Sequence, residues 1–494
     1  MKHAAIGVLL MLGTVSFAQE TQTGPRLTGS DLIDSLVKAK WTEIGLKPES
    51  RSDDAEFLRR VYLDIVGRIP TLPEAEKFLA DKANEKRRKL VDALIDSEAF
   101  AENWAQIWAA SLVGADSNGR AEQIEAGYAK ALQPLIAKNM PFDAFARELM
   151  TAEGKIEYTK GKGDTMSEGD GALVTFFFRY QKSAGKELPQ ALAGKFSRTF
   201  LGTQIQCAQC HDHPFDVWTQ EDFYGMAGFW QGMSVRQEKN KDTGEETIIV
   251  DDRPGKRRME SMTMPGTTTK VSIGFLKTKE KPKEGEGLRS AFARLMTAKE
   301  NLQFARATVN RYWAHFSGRG FVNPIDEFNG RNKPTHPELL EELAKDFQNH
   351  NFDIPYLVRA ICNSQTYQIT SASKKRDAEA QKYYSLAMVR PLSPEQILHS
   401  VVTAVSSDAA GANSARKDLD VRRTIRDFRY PFADDEGAEA ATFEGSIPAA
   451  LLMMNSQLVA AGITAASRAS GARRGSARSS RRRRRPKNGS VRFT

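Results

Sequence analysis

Apolar side chains recur at three- and four-residue intervals through most of this chain of 494 residues. One stripe runs through Phe57, Val61 and Ile65, and another spans residues 188–200. A repeat near 3.6 residues places such side chains on one face of a helix. At this length the chain also has enough apolar mass for more than one core. The sequence therefore predicts a mainly α fold.

The helical pattern is interrupted once in the body of the chain. Residues 234–287 are rich in Lys, Gly, Glu and Thr, with β-like pieces at 247–250 and 269–273. We therefore expect two helical domains, at 30–233 and 288–460, joined by a small β-containing linker element.

Three further local features have structural interpretations. Phe100, Trp104 and Trp108 lie four residues apart, a spacing more typical of core packing than of a ligand wall. Residues 154–171 are rich in Gly, Lys and Asp and are expected to form a mobile loop. Cys362 follows apolar Ile361 and is interpreted as a reduced thiol in the core.

The sequence that carries chemistry is a Cys-x-x-Cys-His motif formed by Cys207, Cys210 and His211. This is the spacing that attaches a c-type haem, in which the two thiols bind one edge of the porphyrin and the imidazole is the axial iron ligand. The flanking stripe at 188–200 and a capping-box sequence at 219–222 predict a loop held between two helices. The motif predicts one covalent haem.

A six-coordinate iron needs a second axial ligand. His213 is too close to His211, because two residues span only about 7 Å and would have to pass the porphyrin edge. The alternatives are Met226, Met233, His315 and His336. An open sixth position would instead favour binding of a small molecule.

The rival interpretation is a mononuclear zinc or non-haem iron site. Its thiolate and imidazole ligands would come from Cys207, Cys210, His211 and His213, with Asp212 or Asp216 beside them. Adjacent ligands make a closed tetrahedron awkward, so His315 or His336 of the second domain would replace one of them. Such a site would belong to a metal-dependent enzyme or a structural surface protein. A redox dithiol lacks the accompanying βαβ pattern.

Residues 1–18 have the pattern of a secretory signal peptide. A short basic start is followed by about 14 mostly apolar residues, fewer than a membrane span needs, and by small residues before Gln19. We expect export to the periplasm or surface of a bacterium, with no transmembrane span after cleavage. Three cysteines exclude a disulfide scaffold.

The net positive charge of the chain comes from its end. Residues 468–494 hold eleven Lys and Arg and no acid, and subtracting them from the formal charge of +9 leaves −2. The body therefore gives no reason to expect nucleic-acid binding. The Arg-rich tail at 466–494 is expected to be disordered, and its abrupt start is also typical of a shifted reading frame.

Several stretches resemble one known domain pair. FLRRVYLDIVGRIPT (57–71) and FLGTQIQCAQCHDHPFD (200–216) resemble the planctomycete-type DUF1549, or PSCyt2, domain. ATVNRYWAHFSGRG (307–320) and PTHPELL (334–340) resemble its usual partner, DUF1553 or PSD1. The resemblance implies an exported bacterial protein with a cytochrome-like label and implies no particular reaction.

Taken together, the sequence predicts an exported, cytochrome-c-like protein that binds one haem at Cys207, Cys210 and His211. Its expected role is electron transfer or redox sensing with a periplasmic redox partner.

Overall fold

The fold is described from a computed structural model of the chain. It describes residues 27–113, 121–159, 165–166, 172–214, 216–240, 246–252, 260–373 and 377–405. The predicted signal peptide at 1–18 and the Arg-rich tail at 466–494 lie outside the described residues.

The N-terminal helical region comprises ten α-helices in the part of the chain that the structure describes. These are α1 (Gly29–Ile44), α2 (Asp54–Val66), α3 (Leu72–Ala80), α4 (Lys86–Ile95), α5 (Glu98–Val113), α6 (Ala121–Ala137), α7 (Phe142–Thr151), α8 (Thr175–Ala184), α9 (Leu188–Leu201) and α10 (Gln220–Gly228). Local signals set many of these bounds. Asp53 caps α2 by accepting a bond from the amide of Glu56, and Gly67 ends the helix at φ +68°.

The C-terminal helical region comprises six α-helices among the described residues. These are α11 (Leu288–Thr297), α12 (Leu302–Ser317), α13 (Pro337–Asn349), α14 (Ile354–Asn363), α15 (Ala378–Lys382) and α16 (Pro394–Val405). The prediction of a mainly α chain with two helical regions and a small β element between them is confirmed.

A four-stranded antiparallel sheet lies between the two helical regions. Its strands are β1 (Gly154–Thr159), β2 (Thr165–Met166), β3 (Met233–Lys239) and β4 (Glu246–Asp252), in the order β2-β1-β4-β3. A separate hairpin pairs β5 (Ser261–Thr263) with β6 (Lys270–Ser272). The β-like pieces predicted in the linker thus correspond to β4 and β6.

The prediction of a loop over 154–171 is wrong where the structure describes that stretch. Residues 160–164 and 167–171 lie outside the described residues. Residues 165–166 form β2, and residues 154–159 form β1. This strand pairs with β4 from Gly154 opposite Val250 to Tyr158 opposite Glu246. Ile156 is buried and provides the inward contact of the strand. The pairing joins segments about ninety residues apart, so local composition held no sign of it.

The two helical regions share one hydrophobic core. Trp104 of α5 stacks on Tyr312 of α12 with 4.5 Å between ring centroids, and Trp108 Nε1 donates to the Tyr312 hydroxyl over 3.2 Å. Gly29 at the start of α1 donates its amide to Asp346 of α13 over 3.0 Å. Each region therefore covers apolar surface of the other.

The aromatic stripe and the third cysteine have the predicted environments. Phe100, Trp104 and Trp108 are each 3% exposed, which confirms core packing. Cys362 is a free, fully buried thiol whose pKa is raised well above its ordinary value by burial. In the described ranges, no helix combines the length and apolar character that crossing a bilayer requires.

Candidate functional site

The Cys-x-x-Cys-His motif lies in a surface loop between α9 and α10, residues 203–219, here called the Cys loop. Its first half forms a short 3-10 turn, Gln206–Gln209, in which Ala208 is fully buried and anchors the turn. Cys207 and Cys210 are both exposed and free. The two thiols are thus exposed to solvent, while Ala208 between them packs into the core.

The start of the Cys loop is fixed by Gly202. This residue ends α9 at φ +61°, a left-handed conformation that favours glycine. A Cβ at this position would lie 2.6 Å from Cδ2 of Phe328, and the Phe328 amide donates to the Gly202 carbonyl over 2.9 Å. The C-terminal region therefore determines where the chain leaves α9.

The second half of the loop is bonded to the first turns of α10. The Gln209 carbonyl accepts bonds of 3.2 Å from the Tyr224 hydroxyl and from the Gln220 side-chain amide. Asp212 accepts the backbone amide of Gln220 over 2.9 Å, so a carboxylate occupies the helix N-terminus. The His213 amide donates to the Trp218 carbonyl over 2.7 Å. These contacts hold the loop at both sides of His211.

His211 is exposed, and one of its ring nitrogens is committed. Nδ1 lies 2.7 Å from the backbone carbonyl of Asp212. A carbonyl only accepts hydrogen bonds, so Nδ1 carries the proton and Nε2 of the neutral ring keeps its lone pair. A backbone carbonyl at the other ring nitrogen is the usual support of a histidine that binds a metal.

The surroundings of the two thiols are mixed. Burial raises the pKa of the Tyr224 phenol, and the nearby Cys210 and Glu187 add to this increase. Val217, in the same loop, is 59% exposed. Two free thiols, one valine side chain and His211 are therefore all exposed on this loop.

The proposed second axial ligands lie in three different environments. His213 is half-buried within the Cys loop. Met226 of α10 is fully buried in the shared core, and Met233 begins β3 at 8% exposure. Both methionines pack in the hydrophobic core. Asp216, beside the motif, accepts the backbone amide of Val217 within its own loop.

His315 is committed to the contact between the two regions. Its Nε2 lies 2.9 Å from the Asp64 carbonyl, so Nε2 carries a proton that it donates. The ring lies 4.8 Å from that of Trp104, and burial lowers the pKa of His315.

His336 is only 3% exposed and is surrounded by aromatic rings. Phe321, Tyr383 and Tyr384 lie 5.2–5.9 Å from it, centroid to centroid. Its Nδ1 contacts the Thr335 hydroxyl at 3.0 Å, and its buried Nε2 has no hydrogen-bond partner among the described residues. Burial lowers the pKa of His336 to about 4.

The described contacts of His315 and His336 do not include the Cys loop. Across the described ranges, no group of three or more His, Cys, Asp or Glu side chains is arranged to hold a metal ion. Cys207, Cys210 and His211 thus share one exposed loop through their closeness in sequence, and the second-domain histidines lie in separate surroundings.

One polar cluster escapes detection in the sequence. Asp64 is 2% exposed and lies between the two regions, where Arg390 and Tyr367 donate to it. In the sequence, this cluster is indicated locally only by an acidic residue between Leu63 and Ile65, on an otherwise apolar helix face. Its partners lie about three hundred residues away, so the sequence does not reveal them.

Fold and loop define a helical protein of two interlocked regions that presents a Cys-x-x-Cys-His loop on its surface. Residues 32–235 match the family model PSCyt2, a protein of unknown function (DUF1549), and residues 288–484 match PSD1, a protein of unknown function (DUF1553). The chain belongs to the proteins that carry this domain pair, as the sequence resemblance predicted. No curated protein and no solved structure matches it.

Proposed function

We propose that this protein is an exported, cytochrome-c-like protein that holds one haem covalently and serves electron transfer or redox sensing. The observation that carries the proposal is the state of His211. Its Nδ1 is bonded to the Asp212 carbonyl, which leaves Nε2 as a free iron ligand next to two free, exposed thiols.

The residues of the Cys loop are of the types that bind a covalent haem. Cys207 and Cys210 would hold the haem covalently, each by addition of its S–H across a vinyl group of the porphyrin, and His211 Nε2 would bind the iron. The bound haem would supply a one-electron redox couple. The protein would orient the imidazole through the backbone carbonyl of Asp212.

The position of the loop suits exchange of electrons with another protein. Both thiols and His211 are exposed, so an attached group would lie at the surface rather than deep in the core. The pattern at 1–18 supports export, and haem attachment to this motif in bacteria is completed outside the cytoplasm. We therefore propose a redox partner in the periplasm or at the cell surface.

The direct test is expression of the full chain with a c-type haem maturation system, followed by a pyridine haemochrome spectrum and elemental analysis. We expect one covalent haem per chain, lost in Cys207→Ala and retained in Cys362→Ala. Cys362 is the matched control because it is also a free cysteine but is buried away from the motif. Zinc or iron without a Soret band, or pigment that survives Cys207→Ala, would refute the proposal.

A further inference from the structure

A cavity of about 330 Å³ lies where the two helical regions meet. Its lining residues come from 56–64, 313–317 and 361–396, outside the Cys loop. One wall is α2 with Arg59, Leu63 and Asp64, and the other is formed by the end of α12 and residues 386–392. Its size is at the lower end of the range for small-molecule sites, about 300–1,000 Å³. We propose that this cavity binds a small organic monoanion with an apolar body.

The carboxylate at the base of the cavity is fully neutralised. Asp64 accepts Arg390 Nη2 over 2.5 Å and the Tyr367 hydroxyl over 2.8 Å. Arg390 also donates to the His315 carbonyl. Because a guanidinium and a phenol satisfy this carboxylate, it presents little negative charge to a ligand.

The second carboxylate, Glu56, is also satisfied by the protein. Arg60 donates to it, as do the Thr370 hydroxyl over 2.6 Å and the amide and hydroxyl of Ser371 over 2.7 and 2.8 Å. Although burial opposes ionisation, the bonds from Thr370 and Ser371 hold the pKa of Glu56 below its ordinary value. Arg60 is in turn occupied by the carbonyls of residues 367 and 369.

Arg59 is the one arginine of the cavity lining that is not paired with a carboxylate among the described residues. Three guanidinium groups line the cavity against two carboxylates, and those of Arg60 and Arg390 are paired. The Arg59 side chain is exposed, and among the described residues no hydrogen bond or ion pair engages it. An uncommitted guanidinium at the edge of a cavity with an excess of one positive charge favours one anionic group, such as a carboxylate or sulfonate.

The remaining walls are suited to an apolar body. Trp313 and Phe316 are buried and line the cavity together with Leu386 and Met388. Val389 beside them is 58% exposed, an apolar side chain at the mouth. Flat aromatic and aliphatic surfaces next to a single charged group are typical of sites that orient small amphiphilic ligands.

The proposal is tested by isothermal titration calorimetry of the full-length protein with naphthalene-2-sulfonate and its neutral counterpart, naphthalene-2-sulfonamide. We expect one saturable sulfonate site per chain. Arg59→Gln should weaken sulfonate binding about fivefold, the size expected for a solvent-accessible charge pair, and leave sulfonamide binding within about twofold. Lys89→Gln, at an exposed position on α4 outside the cavity, is the control and should change neither.

A second variant locates the site. Ala387 lines the cavity, so Ala387→Phe should fill it and abolish binding of both probes, provided that its thermal unfolding curve matches the wild type. If Ala387→Phe does not fold, the effect of Arg59→Gln alone decides. Absence of a saturable sulfonate site, equal sulfonate affinity in Arg59→Gln, or full binding in folded Ala387→Phe would overturn the proposal.

Discussion

At the scale of single residues, three histidines that the sequence marks as possible metal ligands differ in their hydrogen bonds. His211 is exposed with one nitrogen fixed by a carbonyl. His315 donates Nε2–H to Asp64, and His336 is buried with Nε2 unpartnered among the described residues. The bonding of each ring, which the sequence does not show, decides which of them is ready to bind a metal.

The burial of His336 predicts a pH-dependent loss of stability. Its folded pKa of about 4 lies below the ordinary histidine value of about 6.5, so the unfolded state binds the proton more readily between these values. The contribution is fully present above pH of about 6.5 and is lost as pH falls toward about 4, by up to about 3 kcal/mol. Lys40, the nearby cation, lowers this pKa further, whereas Glu43 opposes the shift.

Urea unfolding of the wild type and His336→Phe between these pH values measures the effect. We expect the wild type to lose more free energy of unfolding than the variant across this window. Lys89→Gln, at an exposed position on α4, is the control and should keep the wild-type pH dependence. Equal slopes in the wild type and His336→Phe would contradict the assignment.

At the scale of elements, α10 is the platform on which the Cys loop is held. Thr219 forms a capping box with Asp222, in which the Thr219 side chain accepts the Asp222 amide over 3.2 Å. Asp222 also bonds Lys279 at 2.5 Å, which ties the helix start to the segment before α11. The first turn of α10 therefore fixes the loop that carries the thiols.

Thr219→Ala should remove this cap and lower the free energy of unfolding by about 1 kcal/mol. It should also raise amide hydrogen exchange in residues 209–222, because the bonds from α10 to Gln209 and Asp212 depend on an ordered first turn. Thr219→Ser, which keeps the hydroxyl, is the matched control. A stability loss shared equally by both variants would show that the hydroxyl is not the cause.

The elements could be predicted from sequence where their signals are local. The capping-box sequence at 219–222 and the apolar spacing of Phe57, Val61 and Ile65 predicted helices where α10 and α2 lie. The strand β1 could not be predicted in this way, because β4 supplies its hydrogen bonds from a distant part of the chain. The Cys motif could be found by spacing, whereas the tautomer of His211 required coordinates.

At the scale of the whole molecule, the two helical regions are joined through a buried ion pair as well as through aromatic packing. Asp64 of α2 holds Arg390, which follows α15 in the C-terminal region. The Tyr367 hydroxyl completes this contact. Because both partners come from distant segments, the sequence predicted two regions without revealing how they interlock.

Asp64→Ala should lower the free energy of unfolding by about 3 kcal/mol, because it leaves the Arg390 guanidinium without its carboxylate. Adding Arg390→Met should recover part of this loss, since no unpaired charge then remains at the boundary. Glu300→Ala, at an exposed position, is the control and should stay within about 0.5 kcal/mol of the wild type. Urea unfolding measures all four proteins, and a loss below about 1 kcal/mol for Asp64→Ala would argue against this role.

The central claim is that the Cys loop carries a covalent haem. Intact-mass spectrometry under denaturing conditions tests it most directly, on full-length protein matured in cells that also load a control cytochrome c. The account predicts a mass increase of one haem on the wild type and none on the Cys207→Ala, Cys210→Ala double variant. A wild-type chain at its haem-free mass, from cells in which the control cytochrome is loaded, would contradict the account.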